Sequence, residues 1–421
     1  MHVYLNNTVK AISESVRFDS SEAAPKEDMP FGEGARDCLL HYLNLASSLG
    51  FQTVNYDNYA GEVIYGSGEE FAILSHLDVV PAGHGWTKDP FGGTVDETRI
   101  WGRGTTDDKG PTFAVLYALK ALKDRGFVPK KQIRLIVGCN EENGWACIEH
   151  YKKCRPLPET GFSPDGNFPV IYAEKGILQI RLHYPVGDYL MRYLRGGERA
   201  NMVCDSCSTR PLSLNRTRAE ELGLEYRAGK LWSSGKVAHA STPQAGVNAI
   251  LPILKYYEKD NGIQRIIADL FEDRHRLTSY TDGTGALTMS PDVIRYRQGD
   301  LSVVVDIRYP ATMPSEQIFS LVGRFQVPYE TLNHQLPLNN SRKSELVTTL
   351  ARVYEECTGK DGTPIAIGGG TYARAIKNGA AFGPEAEGDE PVAHQADEFI
   401  TIERVDLLLR VYERAIEQLT K

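Results

Sequence analysis

The order of apolar and polar positions divides the chain into strand-like and helix-like runs. Between Pro30 and Gly50, Cys38, Leu39, Tyr42, Leu43, Leu45 and Ala46 recur at helical spacing, and Gly50 supplies the stop. Phe71–Leu74 is a short apolar strand that runs into Ser75-His76-Leu77-Asp78. Ile100-Trp101 predicts a second strand, leading into Gly102-Arg-Gly-Thr-Thr-Asp-Asp-Lys-Gly110. From Pro111 a helix follows, with Phe113, Leu116, Tyr117, Leu119 and Leu122 on its apolar face and Gly126 at its end. Ile133–Val137 reads as a buried strand with the polar Asn140-Glu141-Glu142-Asn143 at its carboxyl end, and a helix is expected from Trp145 to Lys153. Strands alternating with helices predict a mainly parallel sheet covered on both faces.

The middle of the chain has a different pattern. Ile177–Tyr184 and Leu301–Tyr309 are strand-like; in the second, Leu301, Val303, Val305 and Ile307 alternate with Ser302, Asp306 and Arg308, as in a half-exposed antiparallel sheet. Helices are expected at Asn248–Tyr257 and Ser315–Phe325. Helical spacing resumes at Leu346, Leu350 and Val353 before Gly359, and Val405, Leu408, Leu409, Tyr412, Ala415, Ile416 and Leu419 form the strongest periodic run. The fold class expected is therefore α/β: a mainly parallel-sheet domain over residues 1–177 and 337–421, with an α+β domain inserted at 178–336. A chain of 421 residues is past the size at which one core stops growing, which agrees with two domains.

Composition narrows the function classes. The net charge of -8, with no block of Lys and Arg, argues against nucleic acid as a partner. No apolar run approaches the length of a membrane span, and Met1–Arg17 has no apolar core of the signal-peptide kind. The odd, scattered set of seven cysteines suits free thiols in a reducing, cytoplasmic setting. Cys204-x-x-Cys207 resembles half a zinc or redox site, but no second pair accompanies it.

Candidate chemistry collects at strand ends and loops: Ser75-His76-Leu77-Asp78, Thr106-Asp107-Asp108-Lys109, Asn140-Glu141-Glu142, Ser163-Pro164-Asp165-Gly166 and Ala393-His394-Gln395-Ala396-Asp397-Glu398. Taken singly, each has an ordinary explanation as a helix cap, a solvated loop or a satisfied pair. Together they describe a carboxylate cluster that is costly to bury unless cations neutralise it. Two divalent ions sharing one Asp would do so, and mixed imidazole and carboxylate donors suit zinc, manganese or cobalt. Gly-x-Ser-x-Gly is absent, and no cysteine lies in a nucleophile motif.

These segments, with Asn55-Tyr-Asp-Asn-Tyr-Ala-Gly61, Gly85-Trp-Thr-Lys-Asp-Pro-Phe91, Ala238-His-Ala-Ser-Thr-Pro243, Asp306-Ile-Arg308 and Gly368-Gly-Gly-Thr-Tyr-Ala-Arg374, resemble a dinuclear metallopeptidase family. It includes aminoacylase, glutamate carboxypeptidase and bacterial dipeptidases, and the likeness is greatest to the PepV-type dipeptidases. It runs in order from about residue 30 to the C-terminus and departs at Cys204, where proline usually follows Asn-Met-Val. The resemblance implies a catalytic domain with an inserted lid. His76, Asp107 and Asp165 would hold one ion, and Asp107, Glu142 and His394 the other, both ions zinc or manganese. Asp78 would orient His76, and the Asp107-Asp108 peptide would be cis. Glu141 would be the general base toward a metal-bridging water, and His239 would stabilise the oxyanion. Asn201, Arg308, Gly369 and Thr371 would receive the substrate's carboxylate end. The implied activity is hydrolysis of dipeptides; the alternative is an amidohydrolase of N-acylated amino acids using the same ions. The inserted segment is shorter than in PepV-type dipeptidases, which leaves monomer and homodimer both open.

Overall fold

The computed structural model describes residues 1–187 and 190–421. The chain forms two compact units. One comprises Met1–Tyr172, Asn340–Ile365 and Thr371–Lys421; the other comprises Ala173–Asn339 with Ala366–Gly370. The expected crossings at 177/178 and 336/337 differ from these by a few residues. The insertion also takes in the short 366–370 segment, whose Ile367 carbonyl accepts from the Lys175 amide at 3.1 Å.

The first unit is built on a sheet whose centre is parallel. Lys131–Gly138, Glu69–His76, Thr160–Ser163 and Asn378–Ala381 lie side by side in that order, all pointing the same way. The hairpin Gln52–Tyr56 and Ala60–Tyr65 extends one side in antiparallel register. Parallel central strands must be covered on both faces, and two glycines show that they are. A Cβ at Gly61 would press on Leu39 and Leu43 of helix Glu33–Ser48. Gly61 pairs with Val137, so the next residue, Gly138, faces the opposite side, toward Cys147 of helix Ala146–Cys154 and toward Tyr372.

Helix Lys109–Asp124 begins two residues before the Pro111 start expected from sequence; Pro111 still falls in the first turn, where no backbone N–H has a helical partner. It is buried along nearly its whole length, and the C-terminal helix Ile402–Thr420, capped by Thr401 Oγ1 on the Arg404 amide at 3.0 Å, packs against it. The carboxyl ends of Glu69–His76, Lys131–Gly138 and Thr160–Ser163 lie together at one edge of the parallel sheet, where open α/β sheets place their chemistry.

The second unit carries an eight-stranded antiparallel sheet. Its central strands are Met191–Gly196, Thr288–Arg297, Asp300–Tyr309 and Gly176–Pro185. Helices Ile250–Tyr256, Asn261–Leu270 and Ser315–Gly323 share a core with its apolar face, including Leu301, Val303, Val305 and Ile307. The expected half-exposed character of Asp300–Tyr309 is not observed. Asp306 and Arg308, on the polar face, are buried as well. They are buried as a pair, which alternation alone cannot reveal: Asp306 Oδ1 and Oδ2 accept from Arg308 Nε and Nη2 at 2.6 and 3.1 Å, and Gln179 Nε2 donates to Asp306 at 2.9 Å.

Candidate metal centre

Five side chains from distant stretches of the first unit meet at the strand ends. His76 closes strand Glu69–His76 and is fully buried. Its Nε2 lies 3.1 Å from Asp107 Oδ1 and 3.9 Å from Asp165 Oδ2. The other oxygen of Asp107, Oδ2, lies 2.9 Å from His394 Nε2, which is 3.0 Å from Glu142 Oε1. Two donor sets result, His76–Asp107–Asp165 and Asp107–Glu142–His394. Within each, the ligand atoms lie within 4.8 Å of one another, and Asp107 belongs to both. The Asp107-Asp108 peptide is cis, as expected.

The electrostatics fit this donor set to divalent cations. Burial and the neighbouring Asp107 charge push the Asp165 carboxyl well above the usual range, and burial with Asp107 raises Glu142 against the pull of His394. Burial, reinforced by Glu142, Asp78 and Asp107 and opposed by His76, raises Glu141 to about 8. The protein alone therefore does not keep these carboxylates ionised together. Burial works against charge on both imidazoles, yet the surrounding carboxylates outweigh it: Asp107 and Asp78 hold His76 well above its ordinary value, and Asp107 and Glu142 push His394 up to about 11. Zinc-class ions held by this donor set would supply the positive charge that lets the carboxylates ionise together.

The surrounding residues account for the placement. The expected role of Asp78 divides in two. Its backbone carbonyl, not its carboxylate, lies at hydrogen-bonding distance from His76 Nδ1, 3.0 Å against 3.6 Å for Oδ1. The carboxylate instead accepts the Glu141 and Glu142 amides at 3.0 Å each, fixing the turn that presents both acids. Glu398 Oε1 accepts the amides of Gly104, Thr106 and Asp107 at 3.1, 2.9 and 3.3 Å, and Oε2 accepts from Arg103 Nη1 at 2.6 Å. Asp397 accepts the Thr87 amide and hydroxyl at 2.8 and 2.9 Å. These two acids anchor the loop in which His394 takes a left-handed φ of 63°. Trp145 Nε1 donates to Glu141 Oε1 at 3.1 Å. The Tyr372 ring lies edge-on to both Trp145 and His76, with centroids 5.2 and 6.2 Å away. Sequence reasoning assigned no role to Glu398, Arg103, Trp145 or Tyr372. Arg103, Tyr372 and Glu398 all lie in segments that carry the family resemblance, but nothing in the sequence pairs Glu398 with Arg103.

Thr371 also lies in the first unit, where its hydroxyl accepts the Ala373 amide at 3.2 Å. Asn201, His239, Arg308 and Gly369 belong to the second unit. The Asn201 carbonyl accepts the Ala240 amide at 2.9 Å, and Met202 bridges to His239, so Asn201 and His239 are neighbours there. Gly368 approaches Ser241 closely, with a hypothetical Cβ 3.3 Å from the Ser241 Cβ. The Ser241 amide donates to His239 Nδ1 at 3.1 Å, which makes Nδ1 an acceptor and leaves the hydrogen on Nε2. Burial and the Arg308 charge lower the His239 pKa, favouring the neutral ring.

Comparison with known proteins agrees with this architecture. The chain is 34% identical to the Beta-Ala-Xaa dipeptidase of Lactobacillus delbrueckii subsp. lactis over 455 aligned positions, covering 98% of this chain and 96% of that one. In fold it is similar to human carnosine dipeptidase 1, at 14% identity and a TM-score of 0.62, covering 99% of this chain and 97% of that one. It is likewise similar to the M20 family metallo-carboxypeptidase Sso-CP2 from Sulfolobus solfataricus, at 16% identity and a TM-score of 0.61, covering 99% of each. Residues 72–418 match the profile of the peptidase family M20/M25/M40, and with a full-length relative at that identity the chain belongs to this family.

Proposed function

We propose that this protein is a metal-dependent dipeptidase, with His76, Asp107 and Asp165 holding one divalent ion and Asp107, Glu142 and His394 holding a second. The observation that carries the proposal is that the two oxygens of Asp107 face two different imidazoles, at 3.1 and 2.9 Å. Zinc or manganese ions bound there would polarise the scissile carbonyl and lower the pKa of an attacking water.

The chain's own groups supply the rest. Glu141 is the general base: Trp145 holds one of its oxygens, and the carboxylate takes the water's proton and returns it to the leaving amine. His239, neutral with its hydrogen on Nε2, donates to the developing oxyanion. Arg308 offers the substrate carboxylate its Nη1 edge, because Asp306 occupies Nε and Nη2. Asn201 and Gly369 of the second unit and Thr371 of the first are the further candidates to receive that carboxylate. A dipeptide preference follows from holding both termini of a short substrate, and the Beta-Ala-Xaa dipeptidase relative supports it. A cytoplasmic location belongs to the same proposal, supported by seven cysteines that are all free thiols.

The test is a metal-stripped preparation reloaded with zinc or manganese and assayed on dipeptides, their N-acetylated forms and their C-terminal amides. Free dipeptides should be cleaved fastest, and only after reloading. Faster cleavage of acetylated amino acids would move the protein to the amidohydrolase alternative, and full activity without metal would overturn the proposal.

A further inference from the structure

A second cluster of metal-ligating residue types lies on the first unit and shares no residue with the Asp107 centre. Strands Gln52–Tyr56 and Ala60–Tyr65 are joined by a tight turn in which Asp57 and Asn58 take left-handed φ values of 52° and 60°. This is the Asn55–Gly61 segment of the family resemblance, to which the catalytic chemistry gives no task. His150 and Cys154, four residues apart and so on one face of helix Ala146–Cys154, meet this turn. His150 Nε2 lies 2.9 Å from Asp57 Oδ2 and 3.8 Å from Cys154 Sγ, and all three donor atoms lie within 4.8 Å of one another. The His150 ring is stacked on Tyr59, with centroids 4.1 Å apart and planes 14° apart, so its orientation is set before any ligand arrives. Asp57 and Cys154 are exposed, leaving room for water to complete a coordination shell.

We propose that Asp57, His150 and Cys154 form a surface site for one zinc-class divalent cation. One carboxylate, one imidazole and one thiol make a borderline-soft donor set that selects zinc or cobalt over magnesium or calcium. A tetrahedral ion with bonds of about 2.3 Å to sulfur and about 2.0 Å to nitrogen separates those atoms by about 3.5 Å, within a few tenths of an ångström of the 3.8 Å found here. The carboxyl end of the helix, where Cys154 sits, is the negative end of its dipole and favours a cation. On binding, the Cys154 thiol gives its proton to solvent. His150 moves its hydrogen from Nε2 to Nδ1, so that the Nε2 lone pair meets the ion. The ion then ties the helix that follows the Glu141–Glu142 turn to the Asn55–Gly61 hairpin.

Cobalt(II) titration of the full-length, metal-stripped protein tests this directly. The Asp107 centre contains no thiolate, so a near-ultraviolet sulfur-to-cobalt charge-transfer band reports only on a cysteine site. The expected result is this band together with one equivalent of cobalt beyond those bound at the Asp107 centre. Cys154→Ser and His150→Ala should each abolish the band and that equivalent while dipeptide hydrolysis is retained. Absence of the band in the unaltered protein, or its persistence in Cys154→Ser, overturns the proposal. Either outcome leaves the catalytic assignment untouched, because that rests on different residues and a different assay.

Discussion

Glu398→Gln preserves the shape of the side chain and removes one charge, and it should destabilise the protein strongly. Glu398 is fully buried and Arg103 is 1% exposed. One carboxylate oxygen receives three backbone amides of the Gly104–Asp107 loop, and the other receives Arg103. A glutamine has one acceptor oxygen, so its amide N–H₂ must face either the three N–H donors or the guanidinium. Turned toward the guanidinium, it strands a buried Arg103 whose Nε lacks a partner among the described residues and whose Nη2 donates to the Ala82 carbonyl at 3.3 Å. Breaking a buried ion pair from one side costs about 3–5 kcal/mol. At about 2–4 °C per kcal/mol for a unit of this size, the midpoint of thermal unfolding should fall by about 10 °C. The measurement is a melt of the metal-free protein, so that changes in metal affinity do not enter. A second variant separates the lost charge from the stranded guanidinium: Arg103→Met with Glu398→Gln should recover most of the loss, since the glutamine oxygen can then face the three amides with no buried cation left unpaired. A melting point for Glu398→Gln within about 2 °C of the unaltered protein would refute the claim that this pair anchors the Asp107 loop.

Three further outcomes follow from the same geometry. Gly138→Ala would drive a methyl group into the Tyr372 hydroxyl and the Cys147 sulfur, costing about 1–3 kcal/mol in a melt; because Tyr372 packs on His76, kcat should fall too, and normal values of both would show that the contact yields freely. Glu141→Gln should lower kcat by about 10²–10⁴-fold while bound metal, measured by elemental analysis, stays unchanged; turnover near that of the unaltered enzyme would remove Glu141 from its role. Asp292, buried in the second unit with Oδ1 2.5 Å from Ser290 Oγ and Oδ2 without a partner among the described residues, is pushed up to about 8 by burial, with Ser290 opposing and Asp306 reinforcing. A folded-state pKa above the unfolded value means that its stabilising contribution is complete below about pH 4 and is lost as pH rises through about 8. Asp292→Asn should therefore be increasingly more stable than the unaltered protein from pH 5 to pH 9, by about 2–4 kcal/mol over that range, and parallel stability profiles would refute it.

Much of the first unit was legible because its elements follow their own periodicity. The 3.6-residue spacing through Val405–Leu419 became helix Ile402–Thr420, and the apolar run Ile133–Val137 became the buried strand Lys131–Gly138. The second unit was less legible where burial is decided by pairing. Alternation along Leu301–Tyr309 marked Asp306 and Arg308 as solvent-facing. The bidentate contact between them, with Gln179 on the adjacent strand, allows both to be buried. A period-2 pattern reports which side a residue faces, and whether that side meets water depends on partners elsewhere in the chain.

The metal centre shows the same division at finer scale. His76, Glu142 and Asp165 sit at or just beyond strand ends, where a short apolar run followed by polar residues announces a site. The side chains that set their geometry carry no such mark. Asp78 was legible as a companion of His76, but its carboxylate serves the Glu141–Glu142 turn, a contact spanning more than sixty residues that no local spacing encodes. Glu398 lies four residues past His394 and receives the Asp107 amide, so one buried carboxylate couples the loops of the two residues whose facing atoms lie 2.9 Å apart. Trp145 and Tyr372 act through ring edges and one hydrogen bond, contacts that leave only an aromatic residue in the sequence. Residues that touch a cation are restricted to a few types and cluster at recognisable positions. Those that aim them need only a well-placed acceptor or a ring of the right size, which many sequences provide, and so they become visible only when the chain is folded.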